Sequence, residues 1–175
     1  MTNARPSPPS RLAQAALVAY AVALVGGSLY PLSGWRHAGV PLFGFLFDPW
    51  PRWWTGFDVA FNIAIYLPGG LMLAMQWRSR LSRGLAMAAA VLACSAVALG
   101  LEAMQSLLPN RVPSRLDWLA NTGGALLGAL LHPWGERVAD AGQRSLEQRI
   151  AIDRTDSAIG ATLMAVWLCL QWPTQ

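Results

Sequence analysis

The sequence predicts an all-α protein, a polytopic transmembrane helix bundle with about five membrane-spanning helices. Of the 175 residues, 54% are hydrophobic and only 13% are charged, whereas average soluble domains carry about 25% charged residues. Several apolar runs are close to the ~20 residues that a helix needs to cross a bilayer. The nine tryptophans point the same way, because tryptophan gathers at the lipid–water interfaces of membrane proteins.

The predicted spans follow one another in a single domain, residues 12–175, after a polar, proline-rich tail at residues 1–11 that we expect to be disordered. The spans are residues 12–32, 57–77, 85–108, 116–131 and 157–172. The first is long for a signal peptide and no clear cleavage pattern follows it, so an uncleaved helix is expected. The last two have about 16 residues each, which is short for a span.

Two segments between the spans have distinct compositions. Residues 33–56 are dense in tryptophan, phenylalanine and proline. They form either an aromatic belt in the headgroup layer, where tryptophan gathers, or a lid over a polar site. Residues 133–156 alternate acidic and basic side chains around a weak apolar stripe, which favours a helix lying on the membrane surface.

The arginines predict the orientation of the spans. With a cytoplasmic N-terminus, nine of the thirteen arginines lie inside and four outside, as the positive-inside rule requires. The second span then enters from the outside, the third ends there and the fourth begins there. Their polar residues therefore fall at a similar depth in the outer leaflet.

Polar side chains inside these spans mark the candidate site. An acid in a membrane segment costs about 2.5–3.5 kcal/mol, so it is normally paired and often functional. Spacings of three or four residues allow neighbours on one helix to share a face. The predicted pocket, made by spans two, three and four and open to the outer face, contains Asn62, Glu102, Gln105, Arg111, Asp117 and Asn121. Its second-rank members are Asp58, Tyr66 and Arg115.

Several residues have a structural interpretation. Pro68 lacks a backbone donor and would kink the second span, or act as a hinge. Gly69 after it, and the small-x-x-x-small pair Gly124 and Gly128, allow another helix to approach closely. Asp117 stands at the start of a helix, where a carboxylate caps free backbone amides.

Two segments resemble VanZ-like membrane proteins. Residues 61–70, Phe-Asn-Ile-Ala-Ile-Tyr-Leu-Pro-Gly-Gly, are similar to the asparagine and Pro-Gly helix of that family. Glu102 and Gln105, then Arg111, then Asp-Trp-Leu-Ala-Asn-Thr-Gly-Gly at residues 117–124 resemble its second block. The match covers roughly residues 57–131. It implies a bacterial inner-membrane protein of the cell envelope, in a family named for a protein linked to resistance to the glycopeptide teicoplanin.

This chain departs from the family pattern just before Asp117. Many relatives carry further acids there, where this chain has Ser114 and Leu116. If those acids serve a metal in the relatives, this chain would bind it poorly. We expect no metal and no cofactor, and we expect His37 and His132 to be solvated rather than ligands.

The residues leave several functions open. In the first, Arg111 and Arg115 hold the phosphate or carboxylate of a lipid-linked cell-wall precursor, and the acids and amides bind its hydroxyls or amides. In the second, the arginines only neutralise Glu102 and Asp117 and fix helix packing. An enzyme would use Glu102 or Asp58 as general acid or base, but no catalytic motif is recognisable, so a non-enzymatic role is favoured. A transporter, or a subunit that forms homo-oligomers through its glycine pair, is the remaining alternative.

Membrane lipids are the expected partners, and no nucleic acid is needed to explain the net charge of +4, which fits an anionic leaflet.

Overall fold

The fold is known from a computed structural model that describes residues 10–36, 39 and 41–149. This part of the chain contains only helices: α1 (Arg11–Leu29), α2 (Gly56–Trp77), α3 (Arg83–Gln105), α4 (Arg115–Leu130), α5 (His132–Arg149) and a short 3-10 turn, Gly44–Leu46. The all-α prediction is thereby confirmed.

Three helices of the described part, α1, α2 and α3, are long and apolar enough to cross a membrane. Helix α4 has 16 residues, which at 1.5 Å per residue gives about 24 Å, less than the ~30 Å hydrocarbon core. About five spans remains roughly consistent with this arrangement. The predicted span at residues 157–172 lies outside the described residues.

The chain divides into two units, Met1–Pro133 and Trp134–Gln175. The first contains α1 to α4 and every residue of the predicted pocket. The second contains most of α5, where the sequence predicted a charged surface helix. The helix is present, and its place at a membrane surface stays a prediction.

Helices α2 and α4 pack backbone to backbone. A Cβ atom added to Gly124 would overlap the Ile63 carbonyl, and one added to Gly128 would overlap the Leu67 carbonyl. Because both positions advance by four residues in the same direction, the two helices are parallel. The glycine pair of α4 therefore packs against α2 of the same chain, and a homo-oligomer would need another surface.

Helix α3 runs antiparallel to α4 and is joined to it by a polar network. The Trp118 indole donates to the Ser95 carbonyl oxygen at 3.2 Å and to the Ser95 hydroxyl at 3.1 Å. The Thr122 hydroxyl lies 3.0 Å from the Ser95 hydroxyl. These bonds satisfy polar groups that would otherwise be stranded in an apolar bundle.

Helix α1 completes the bundle on its α2 and α3 side. At one end, Gln76 of α2 donates to the carbonyl oxygen of Ala13 at 3.3 Å. At the other end, Gln105 of α3 donates to Ser28. Helices α1 and α3 therefore finish, and α2 and α4 begin, at the same end of the bundle, which we call the loop end.

Two helices end earlier than the sequence predicted. Helix α1 stops at Leu29 rather than at residue 32, since Pro31 cannot continue a helix and restricts the residue before it. Helix α3 stops at Gln105 rather than at residue 108. The backbone amides of Leu107 and Leu108 then bond to carbonyls three residues earlier, which tightens the last turn before Pro109.

The expectation that His132 is solvated was wrong. Its side chain is fully buried, and its Nδ1 atom lies 2.7 Å from the Ala129 carbonyl oxygen. A ring nitrogen on a carbonyl at the end of α4 is a helix-terminating contact of the kind that satisfies the last carbonyls. His37 lies outside the described residues.

Candidate functional site

Glu102 is the most deeply placed acid of the loop end. Its side chain is only 4% exposed, and its Oε2 atom accepts a hydrogen bond from the Ser114 backbone amide at 2.8 Å. Ser114 is the N-cap of α4, so the carboxylate joins the end of α3 to the start of α4. The charges of Asp117 and Arg111 also lie close enough to act on it.

Asp117 connects α4 to α2. The Asn62 side chain lies close to its carboxylate, and the charge of Asp58 acts on it from the same helix as Asn62. Asp58 itself forms a capping box with Thr55. Its Oδ2 atom accepts from the Thr55 amide at 2.9 Å and from the Thr55 hydroxyl at 2.8 Å. Asp58 is exposed, and its carboxylate caps the N-terminus of α2.

Asn121 lies one helical turn below Asp117, with 5% of its surface exposed. Its Oδ1 atom is buried and has no hydrogen-bond partner among the residues that the structure describes. We call Asn62, Glu102, Asp117 and Asn121 the polar cluster. Tyr66 is also buried, at 4% exposure, and the charge of Glu102 acts on its hydroxyl.

Three of the predicted pocket residues have partners elsewhere. The Gln105 amide donates to the Ser28 hydroxyl at 2.9 Å and to its carbonyl oxygen at 3.1 Å, so it fastens α3 to α1. The Arg111 guanidinium donates to the Gly27 carbonyl oxygen at 3.1 Å. The Arg115 guanidinium lies 5.0 Å from the centroid of the Trp50 ring. This is a cation–π contact between α4 and the segment that joins α1 to α2, which we call the aromatic loop.

A tyrosine that the sequence did not single out lies beside the Ile65–Gly69 turn of α2. The Tyr20 hydroxyl of α1 donates to the Ile65 carbonyl oxygen at 2.9 Å. A Cβ on Gly69 would lie 2.8 Å from this hydroxyl, so glycine makes room for the ring. Pro68 removes the helical bond to the Ala64 carbonyl oxygen, and the Tyr20 hydroxyl binds the next carbonyl along, a pairing between two helices that no local sequence signal indicates.

The aromatic loop folds back over the loop end. The Arg36 amide donates to the Leu107 carbonyl oxygen at 2.9 Å, and Phe45 is buried at 4% exposure. Between this loop and the turn after α3 lies a cavity of about 370 Å³, which we call the loop cavity. Its polar lining includes Arg36, Asp48 and Arg111.

The loop cavity differs from the predicted pocket. Of the six first-rank residues, only Arg111 lines it; Asn62, Glu102, Asp117 and Asn121 belong to the cluster between the helices. Sequence reasoning missed Arg36 and Asp48, because neither lies in an apolar span where a charge stands out.

The polar cluster presents carboxylates and amides, and among the residues that the structure describes Asp117 has no cationic partner at hydrogen-bond distance. Within the described part of the chain, no group of three or more His, Cys, Asp or Glu residues is arranged to hold a metal ion. What the cluster offers is hydrogen bonding: acceptors on the acids, and both donors and acceptors on the amides.

Comparison with protein families matches residues 16–135 to the VanZ/LLP1 family. No curated protein matches the chain, and no solved structure does. The match extends from α1 through α4 and includes both the polar cluster and the loop cavity. With its three apolar spanning helices and a family match over more than half of its length, the chain is a multi-pass membrane protein that belongs to the VanZ/LLP1 family.

Proposed function

We propose that this protein binds the polar head of a lipid-linked cell-envelope component through the polar cluster. In this proposal it lies in the bacterial inner membrane with its N-terminus in the cytoplasm, so the loop end faces outward. The role is binding rather than catalysis, because the cluster carries hydrogen-bonding groups without a nucleophile paired to a base.

The observation that carries the proposal is the Asn121 Oδ1 atom, buried and without a partner in the described part of the protein. A buried acceptor that is left without a hydrogen bond costs about 1–3 kcal/mol. A hydroxyl or amide N–H of a ligand head would remove that cost. An ordered water would do the same, and the experiment below separates the two.

The graded exposure of these residues supports entry of the ligand from the side of Asp58. Asp58 is exposed, Asn62 and Asp117 are half-buried, and Asn121 is buried. A ligand approaching from the headgroup layer would meet the acids first and the buried amide last. This order suits a head with several hydroxyl or amide donors, such as a sugar or a peptide.

Native mass spectrometry of the protein extracted with its own lipids tests the proposal. We compare the wild type with Asp117→Asn and Asn121→Leu, which remove a charge and an amide at nearly constant volume. Gln105→Leu is the matched control, because Gln105 bonds to Ser28 outside the cluster. A bound species lost from both cluster variants and kept by the control supports the proposal. Equal retention by all four proteins would refute it.

The structural alternative has an observation in its favour. Glu102 holds the Ser114 amide, and Asp58 caps α2, so both acids have a role in the fold without any ligand. Asn121 separates the alternatives. If it is only structural or holds a water, Asn121→Leu leaves lipid retention unchanged, whatever its effect on stability.

A link to glycopeptide resistance extends this proposal, following the protein for which the family is named. Expression in a teicoplanin-susceptible bacterium would raise the inhibitory concentration, and Asp117→Asn would abolish that rise. An equal inhibitory concentration with and without the wild-type protein would show that glycopeptide resistance is not part of its function. Ligand binding is tested separately by the mass spectrometry.

A further inference from the structure

We infer that the loop cavity is a second binding site, for the phosphate of a lipid headgroup that also carries a hydrogen-bond donor. Its lining residues come from two segments far apart in sequence, Arg36 with residues 41–48 of the loop, and residues 106–113 of the turn after α3. The inference rests on the proposed function for the idea of an amphiphilic ligand, and on the cavity alone for the site and its chemistry.

Two arginines from different segments line this cavity, Arg36 and Arg111. Each guanidinium offers five N–H donors in a planar fork that matches phosphate oxygens. Arg111 uses one of its donors on the Gly27 carbonyl, which holds its position. The Arg36 main chain is fixed by its bond to Leu107, so the backbone of Arg36 is held beside the turn that carries Arg111 before a ligand arrives, and such preorganisation favours binding.

Asp48 defines the ligand more narrowly. With Arg36 and Arg111 it leaves the charged lining at a net charge of plus one, which a single negative charge neutralises. Asp48 is exposed, and its carboxylate is an acceptor only, so beside a bound phosphate it would pair with a donor of the ligand. A phosphodiester with a hydroxyl or amine nearby pairs with all three residues, whereas a phosphate without such a donor leaves Asp48 to water.

The walls and the size of the cavity fit a headgroup. Leu42, Phe45 and Val112 are among its lining residues, of which Phe45 is buried, so the ligand would find apolar contact beside the charged groups. The volume of about 370 Å³ lies at the lower end of the range for small-molecule sites.

The surface of the same loop favours a lipid over a free phosphate. Phe47 is 87% exposed and Trp53 is 92% exposed. Large aromatic side chains so placed in a membrane protein gather in the headgroup layer. The cavity therefore opens in a loop that carries its own membrane-anchoring side chains.

The test is competition between phosphatidylglycerol, which has a phosphate and hydroxyl donors, and phosphatidylcholine, which has a phosphate without them. Binding to the purified full chain is measured by native mass spectrometry for the wild type, Arg36→Gln, Arg111→Gln and Asp48→Asn. Arg52→Gln is the matched control, because Arg52 is an exposed arginine of the same loop that does not line the cavity.

We expect the wild type to prefer phosphatidylglycerol. Each arginine variant should lose about tenfold of that preference, since each removes charge-assisted hydrogen bonds. Asp48→Asn should retain the preference, because the amide oxygen still accepts a hydrogen bond and a negative charge beside the anionic lipid is removed, and Arg52→Gln should leave it intact. If Arg36→Gln binds like Arg52→Gln, the inference is overturned, even if Arg111→Gln fails to fold. If millimolar inorganic phosphate displaces the lipid completely, the lipid assignment is overturned and the site is one for a free anion.

The two proposals fail separately. Asp117→Asn and Asn121→Leu should leave the phosphatidylglycerol preference unchanged, because neither residue lines the loop cavity. Loss of the natural bound species in those variants with the preference intact supports both proposals. Loss of the preference in the cluster variants as well would contradict a separate site at the loop.

Discussion

Replacing Gly124 with alanine should destabilise the bundle, whereas the same change one residue earlier should not. The new Cβ at Gly124 would overlap the Ile63 carbonyl oxygen and lie 2.8 Å from Ile63 Cα. Non-bonded carbons prefer about 3.5–4.0 Å, so α2 and α4 must separate by at least about 0.7 Å at this point. Over-packing of this kind costs about 1–3 kcal/mol.

Gly123 supplies the matched control. A Cβ at this position meets nothing within 4 Å, and alanine exceeds glycine in helix propensity by up to about 1 kcal/mol. Gly123→Ala should therefore equal the wild type in stability or exceed it. Both variants add one methyl group to adjacent positions of the same helix, so the difference between them isolates the contact with α2.

The assay is thermal unfolding in detergent, followed by the fluorescence of the nine tryptophans. For a chain of this length, each kcal/mol corresponds to about 2–4 °C in Tm, so Gly124→Ala should lower Tm by roughly 2–12 °C. An unchanged Tm for Gly124→Ala, or an equal loss in Gly123→Ala, would refute the close α2–α4 contact. A changed oligomeric state with an unchanged Tm would instead place the glycine pair between copies of the chain.

Three further substitutions have defined outcomes in the same assay. Tyr20→Phe removes the hydroxyl that donates to Ile65 and should cost about 1 kcal/mol, whereas Tyr30→Phe, at an exposed position, should cost nothing; equal losses would contradict the hydrogen bond between α1 and α2. Glu102→Leu leaves the Ser114 amide without its acceptor and should cost about 1–3 kcal/mol, while Glu102→Gln, which keeps an acceptor oxygen, should cost less; the reverse order would show that the charge matters more than the bond. Thr55→Ala removes the α2 cap and should cost about 0.5–2 kcal/mol, and Thr55→Ser should restore most of it unless the capping box contributes nothing.

The sequence predicted the helices because their signals are local. Apolar runs of sufficient length identified the first four helices, and their starts agree with the structure to within about two residues, as expected for helix boundaries. The predicted ends of two helices were wrong. Helix α1 ends before Pro31, and α3 ends before the turn that precedes Pro109. In both cases the apolar run continues past the last helical residue, so hydropathy alone overextends the helix.

The sequence also indicated which polar residues share an end of the bundle, because alternating helix directions fix their depth. It did not determine their partners. Glu102 bonds to a backbone amide rather than to an arginine, Gln105 bonds to α1, and Arg115 stacks on Trp50. Each partner lies on another element, and only the packing of the helices decides which side chains meet.

What the sequence by itself determined is the membrane bundle, its helix order and a concentration of polar residues at the ends of α3 and α4. Only the tertiary structure decided that the glycines of α4 meet α2, that the Tyr20 hydroxyl bonds to Ile65, and that the loop forms a cavity lined by Arg36 and Arg111. The physical reason is that hydrophobic run length and residue spacing act along one segment. A cavity or a close backbone contact exists only between segments, where packing and loop conformation set the distances.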